Sequence, residues 1–190
     1  MLDEGALKDF VKVSDVDEML IQEYRERLPE EMITVWEKYG FGTFMDGYLK
    51  VINPNDYNQL LEDSYFLGNV SIPIIVTAFG DVIAWRSKGT AKVSEGYVDI
   101  VFYRYGTNDI MIPELELFFM LLSKDPTFAP HFFAIEKYNE AVEMHGPLAY
   151  DQCFGYVPLL ALGGKETTKN LKKVKIREHI ALITELVGEI

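Results

Sequence analysis

Hydrophobic and polar positions follow a helical period near both ends of the chain and a strand-like pattern through its middle. VDEMLIQEYRERL (16–28) has helical spacing, with Ser14 as a candidate N-cap. Pro29 breaks that run and can open the next helix, PEEMITVWEKYG, where Met32, Val35, Trp36 and Tyr39 share a face. Glu30 and Glu31 sit at its positive dipole end, and Gly40 is a natural stop. GFGTFMDGYLKVINP reads as a hairpin turning at Asp46-Gly47, since glycine tolerates the positive φ of a tight turn. Asn53-Pro54 then caps a helix over PNDYNQLLEDS.

The middle of the chain predicts three or four strands. SIPIIVTAF and DVIAWRS flank Gly80-Asp81, and TAKVSEG and YVDIVFYRY meet near Gly96. Short turns between consecutive strands predict an antiparallel meander, its last strand buried on both faces. From Pro113 the pattern returns to helix in PELELFFMLLSKD and in AIEKYNEAVEMHG, with an irregular PTFAPHFF between them. VPLLALGG is a short apolar run ending in a glycine turn, and KIREHIALITELVG aligns Ile176, Ile180, Ile183 and Val187 in one stripe. The expected fold class is α+β, a central mainly antiparallel sheet flanked by N-terminal and C-terminal helices.

At 190 residues, 48% of them hydrophobic, the chain is sized for one domain or two small lobes on one core. No linker marks a boundary; the change of pattern divides an α+β lobe over 1–112 from a helical lobe over 113–190, packed on the same core. The net charge of −12 disfavours nucleic acid and anionic lipid as partners and favours a basic protein, although acidity also serves solubility. Residues 1–40 hold 11 acids against 5 bases, whereas residues 131–190 hold 8 against 7, so the acidic field sits toward the N-terminal side. The opening MLDEGALKDF is acidic and mixed, unlike a secretory leader, and IPIIVTAF is far shorter than the ~20 residues that span a bilayer. The expected compartment is the cytoplasm.

Catalytic signatures are sparse. His131, His145 and His179 stand in no metal-ligand spacing, so no metal or other cofactor is expected. His179, near the start of the last helix, reads as a surface or capping group. Cys153, the single cysteine, has no activating charge beside it and reads as an inert, partly buried thiol. Serine-hydrolase and phosphate-loop motifs are missing; Gly163-Gly164-Lys165 reads as a tight turn. Close acid pairs such as Asp15 with Asp17 are expected by chance in so acidic a chain. Trp36, Tyr48, Trp85, Tyr103, Phe154 and Tyr156 lie in or beside glycine-marked blocks. Such rings anchor interfaces or fill cores: Trp36 reads as core, while Tyr48 and Tyr156 stay open between the two roles.

The block from Trp36 to Tyr48, W-x3-G-F-G-x-F-x-D-G-Y, together with NPNDY and IPIIVTAFGDVIAW, resembles the GAD-like domain. Phe154-Gly155-Tyr156, Pro158, Leu162-Gly163-Gly164, Asn170-Leu171 and Glu178-His179 resemble the C-terminal domain of immunity proteins against type VI secretion DNase effectors. The chain is also loosely similar to the SUKH immunity superfamily. The resemblance covers nearly all of it beyond the first twenty residues or so. It implies toxin neutralisation by direct binding, with no catalytic residues to transfer.

The expected function is therefore an immunity protein that occludes a cognate, basic toxin, a nuclease effector. Asp46, Tyr48, Asp56, Glu62, Asp63 and Tyr156 are the candidate contact residues. A non-catalytic ligand-binding or regulatory module, with a pocket between sheet and C-terminal helices lined by residues 150–164, is the second reading. An unrecognised enzyme is the third. Toxin identity and oligomeric state are not encoded in any legible motif.

Overall fold

The computed structural model describes residues 1–90 and 92–190. Seven strands form one antiparallel sheet in strict chain order: β1 (Val11–Ser14), β2 (Phe41–Phe44), β3 (Leu49–Val51), β4 (Ser71–Thr77), β5 (Val82–Ser87), β6 (Gly96–Phe102) and β7 (Thr107–Pro113). Each strand pairs only with its chain neighbours, so the sheet is the meander expected from the short turns. A separate hairpin joins β8 (Gln152–Tyr156) to β9 (Leu171–Lys175).

Helices cover both faces of the sheet. Alternation along β5 shows why: Ile83 and Trp85 enter one apolar cluster, whereas Val82 and Ala84 enter another. The larger cluster packs the sheet against α1 (Glu18–Tyr24), α2 (Glu30–Lys38), α4 (Leu115–Lys124), α5 (Phe128–Phe132) and α6 (Ile135–His145). The smaller packs it against α3 (Asn58–Ser64) and α7 (Ile176–Val187) through Leu61, Ile176, Ile180 and Ile183. β8 bridges them, with Phe154 in the first cluster and Cys153 in the second. Its Phe154 N–H donates to the Ala78 carbonyl at 2.7 Å, docking the hairpin against the end of β4. The C-terminus clamps α3: Ile190 N–H donates to Ser64 O at 2.7 Å.

Several local expectations change. The first helix begins at Glu18 and is capped by Asp17, whose carboxylate accepts from Met19 N–H; Ser14 belongs to β1 instead. PNDYNQLLEDS splits into a 3-10 turn, Pro54–Asp56, and α3, with Asn53 capping the turn. Within the expected TAKVSEG strand, Ala91 lies outside the described residues, and residues 92–95 form a turn that leads into β6 at Gly96. PTFAPHFF is not wholly irregular: α5 forms there. β1, β7 and β9 have no counterpart in the sequence reading.

Candidate functional site

The β2–β3 hairpin carries Asp46 and Tyr48 in opposite environments. Met45, Asp46 and Gly47 all have positive φ, at 52°, 53° and 85°. The Asp9 carboxylate holds this turn, accepting from Met45 N–H at 3.2 Å and Asp46 N–H at 2.6 Å, and Tyr138 donates to Asp46 O at 2.8 Å. The Asp46 side chain is exposed. Tyr48 is fully buried, ringed by Phe79, Phe133 and Tyr138, and its hydroxyl accepts from Ala134 N–H at 3.1 Å. Tyr156 is also buried, at 2% exposure. The structure thus corrects the expectation for these two rings: each is a core side chain with no surface to offer a partner.

Asp56, Glu62 and Asp63 are exposed on the 3-10 turn and on α3. Their helix packs on the smaller cluster, while Asp46 is tied to α6 on the larger one. The expected acidic surface is therefore divided by the sheet. Asp56 also lines a cleft of about 470 Å³ with Asp15, Asp17, Asp151 and Arg177, walled by Tyr57 and Tyr150. Here Asp17 caps α1, Asp151 pairs with Lys175, and Tyr150 donates to Val51 O at 2.6 Å.

Buried charges form a second group. Lys50, 1% exposed, donates to Ala149 O at 3.0 Å, and burial lowers its pKa to about 8. Asp99 takes both arms of Arg86, at 2.5 and 3.0 Å. Asp81 lies 3.2 Å from Arg104, and burial pushes its carboxyl up to about 6 even though Arg104 opposes the shift. Arg104 Nε and Nη1, Asp81 Oδ1 and the Tyr156 hydroxyl have no partner among the described residues. Arg104 and Tyr156, with His179 and Ile183, line a cavity of about 10 Å³ against the side of α7, room for about one water and not for a metabolite.

Cys153 is fully buried, which drives its thiol up to about 12. His179 is buried too, not at the surface, and burial lowers its pKa. Its ring occupies the space that a Cβ on Gly155 would need, which is why glycine sits between Phe154 and Tyr156. His145 Nε2 lies 3.3 Å from Thr168 O, and His131 meets the Phe132 ring edge-on. Among the described residues, no three His, Cys, Asp or Glu side chains converge as a metal site would require, and no helix is long and apolar enough to cross a membrane.

The charged residues that a functional reading had passed over were visible in one respect. Lys50, Asp81 and Asp99 are single charges inside apolar strand patterns, YLKVI, FGDVI and YVDIVF. A charge buried there needs a built partner.

The two ends of the chain match different family models. Residues 4–96 match the GAD-like domain, and residues 113–187 match the T6SS immunity protein Tdi1 C-terminal family. The chain thus carries a match to the GAD-like domain followed by a match to the Tdi1 immunity C-terminal family. That pairing places the FGY block of β8, the Leu160–Leu162 turn and α7 inside the immunity segment, and the β2–β3 hairpin and α3 inside the GAD-like segment. It supports an immunity function in general, and with it a toxin partner and a non-enzymatic role. The crystal structure of Atu4351 from Agrobacterium tumefaciens shares the fold, with a TM-score of 0.75 and 20% identity over 96% of this chain and 88% of that one. No curated protein matches the chain.

Proposed function

We propose that this protein binds and neutralises a cognate toxin, a basic nuclease effector, by direct occlusion in the cytoplasm. The observation that carries the reading is the match of residues 113–187 to T6SS immunity protein Tdi1. The surface fits the partner's chemistry. A net charge of −12 steers a basic protein into encounter and repels the toxin's own nucleic-acid substrate. Asp56, Glu62 and Asp63 are exposed on one helix-turn unit, free to contribute to that field. Neutralisation needs no catalysis by the immunity protein: a bound body over the toxin's active site or nucleic-acid groove excludes the substrate.

The test is co-expression with the product of the gene adjacent to this one, scoring growth and co-purification. Rescue with a stable complex is the expected result. Toxicity that persists with no complex would reduce the family match to a likeness of fold.

A further inference from the structure

The sheet has two open edges, and one of them lies in the acidic part of the chain. β1 pairs with β2 through Val11↔Thr43, Lys12↔Gly42 and Ser14↔Phe41, and among the described residues no strand lies on its other side. All four of its residues are exposed, including Val11 at 63% and Val13 at 52%. An edge strand leaves a row of backbone N–H and C=O groups unpaired, and natural edges are usually blunted by charge, proline or a covering element. Here Lys12 is the one charged residue in the strand, and a register irregularity follows it. The register also places Val11 on a core face of the sheet. Val11 opposes Thr43, Thr43 opposes Lys50, and Lys50 opposes Val76 of the smaller core, so Val11 continues that face of the sheet past its last covered residue.

Immediately after β1 the chain enters the cleft lined by Asp15, Asp17, Asp56 and Asp151. Lys12 pairs with Asp15 and Lys175 with Asp151, so that among the described residues Asp17, which caps α1, and Asp56 have no ion-pair partner; Arg177 lines the same cleft. Tyr57, 8% exposed, lines the cleft, and burial is the largest cause raising its pKa. An exposed apolar strand with an open backbone edge, continued by a recess lined by four aspartates, matches an extended chain carrying a positive side chain.

We propose that the open edge of β1 and the adjoining aspartate cleft form the toxin-docking surface, taking an extended basic segment of the toxin as an eighth strand. This rests on the toxin-binding reading above and adds the surface and the mode. Backbone hydrogen bonds along Val11–Ser14 supply affinity, as in other strand-addition complexes. One Lys or Arg of the added segment enters the cleft toward Asp56, and apolar neighbours cover Val11 and Val13. The net −6 of residues 1–40, 11 acids against 5 bases, selects a basic occupant for this edge.

The experiment is amide hydrogen exchange on the full chain, alone and saturated with the product of the adjacent gene, together with binding by the Val11→Thr/Val13→Thr and Asp56→Asn/Asp151→Asn variants. Amides of residues 11–14 are expected to exchange at least about tenfold more slowly in the complex. The valine variant should bind at least about tenfold more weakly, and the aspartate variant should show a flatter salt dependence. A complex of undiminished affinity with exchange at 11–14 unchanged, or with protection confined to β7, overturns the docking mode and leaves the immunity reading standing. No complex at all removes both. Should the valine variant not fold, exchange in the wild-type complex decides.

Discussion

Asp81 and Arg104 face each other at 3.2 Å with both side chains sealed from solvent, and neither is fully satisfied by the contact. Such a pair is costly to break from one side, because the remaining charge stays buried. Arg104→Met should destabilise the fold by about 3–5 kcal/mol near pH 8. Burial pushes the Asp81 carboxyl up to about 6 in the fold, from an ordinary value of 3.8, so the native state holds this proton more tightly than the unfolded chain. Stability from that proton is complete below the unfolded pKa and is lost as pH rises through about 6. Relative to Asp81→Asn, the wild type should therefore lose about 2 kcal/mol between pH 4 and pH 7. Urea unfolding of the two proteins across that range measures it; parallel pH profiles would refute the assignment.

Lys50 carries the opposite proton linkage. Its folded pKa of about 8 lies below the ordinary lysine value of 10.5, so the unfolded state binds the proton more tightly. Stability should rise with pH between about 8 and 10.5, and Lys50→Met should abolish that component while remaining folded. The long apolar stem of lysine is already buried, so methionine replaces it with little change of volume. Denaturant midpoints at pH 7.5 and 9.5 for both proteins give the comparison, and an equal increment in the two would sink the prediction.

Charge on α3 and the aromatic core should separate cleanly in assay. Reversing Asp56, Glu62 and Asp63 to lysine should slow association with a basic toxin about tenfold or more at low salt, with the difference shrinking as salt screens it. The fold should be nearly untouched, because all three side chains are exposed. Tyr48→Ala should do the reverse, costing about 3–5 kcal/mol of stability by emptying the space between Phe79, Phe133 and Tyr138. Stopped-flow association at two salt concentrations, beside thermal melts, distinguishes them.

How far the sequence disclosed this molecule depends on the range of the interaction involved. The α2 face, the β2–β3 hairpin at Asp46-Gly47 and the Ile176, Ile180 and Ile183 part of the α7 stripe were legible because spacing and turn residues decide them locally, whereas Val187, read into the same stripe, is exposed. β1 and β7 were not, since VKVS and TNDIMIP are short or polar and become strands only by pairing with β2 and β6. The burial of Tyr48 was equally hidden: Phe133, Ala134 and Tyr138, which enclose it, lie more than eighty residues away in sequence. For the candidate site, the acidic composition was readable, but the sheet that divides Asp46 from α3 was not.

Gly155 and His179 make a packing lock that can be tested alone. A methyl group on Gly155 overlaps the His179 ring, and the Val174 side chain closes the other side at 2.8 Å. Gly155→Ala should cost about 1–3 kcal/mol, the usual range for overpacking a filled site. His179→Ala in the same chain should recover part of that loss, because the methyl then enters the space the ring vacates; a double-mutant cycle reads the coupling. Strictly additive effects would show that the two do not share the space.

The larger cluster draws on residues from Ala6 to Leu171, crossing from the GAD-like match into the immunity match. We propose that the two segments, 1–112 and 113–190, unfold as one cooperative unit. Fragment 1–112 would expose the sheet face that Phe118, Phe119, Tyr138 and Phe154 cover, apolar area worth about 1.5–3 kcal/mol for each such side chain. A small domain holds only about 5–15 kcal/mol of net stability, so that loss is enough to leave the fragment unfolded or aggregated. Calorimetry of the full chain should show a single transition with matching van't Hoff and calorimetric enthalpies. Two resolved transitions, or a soluble 1–112 fragment with a cooperative melt, would establish independent lobes instead.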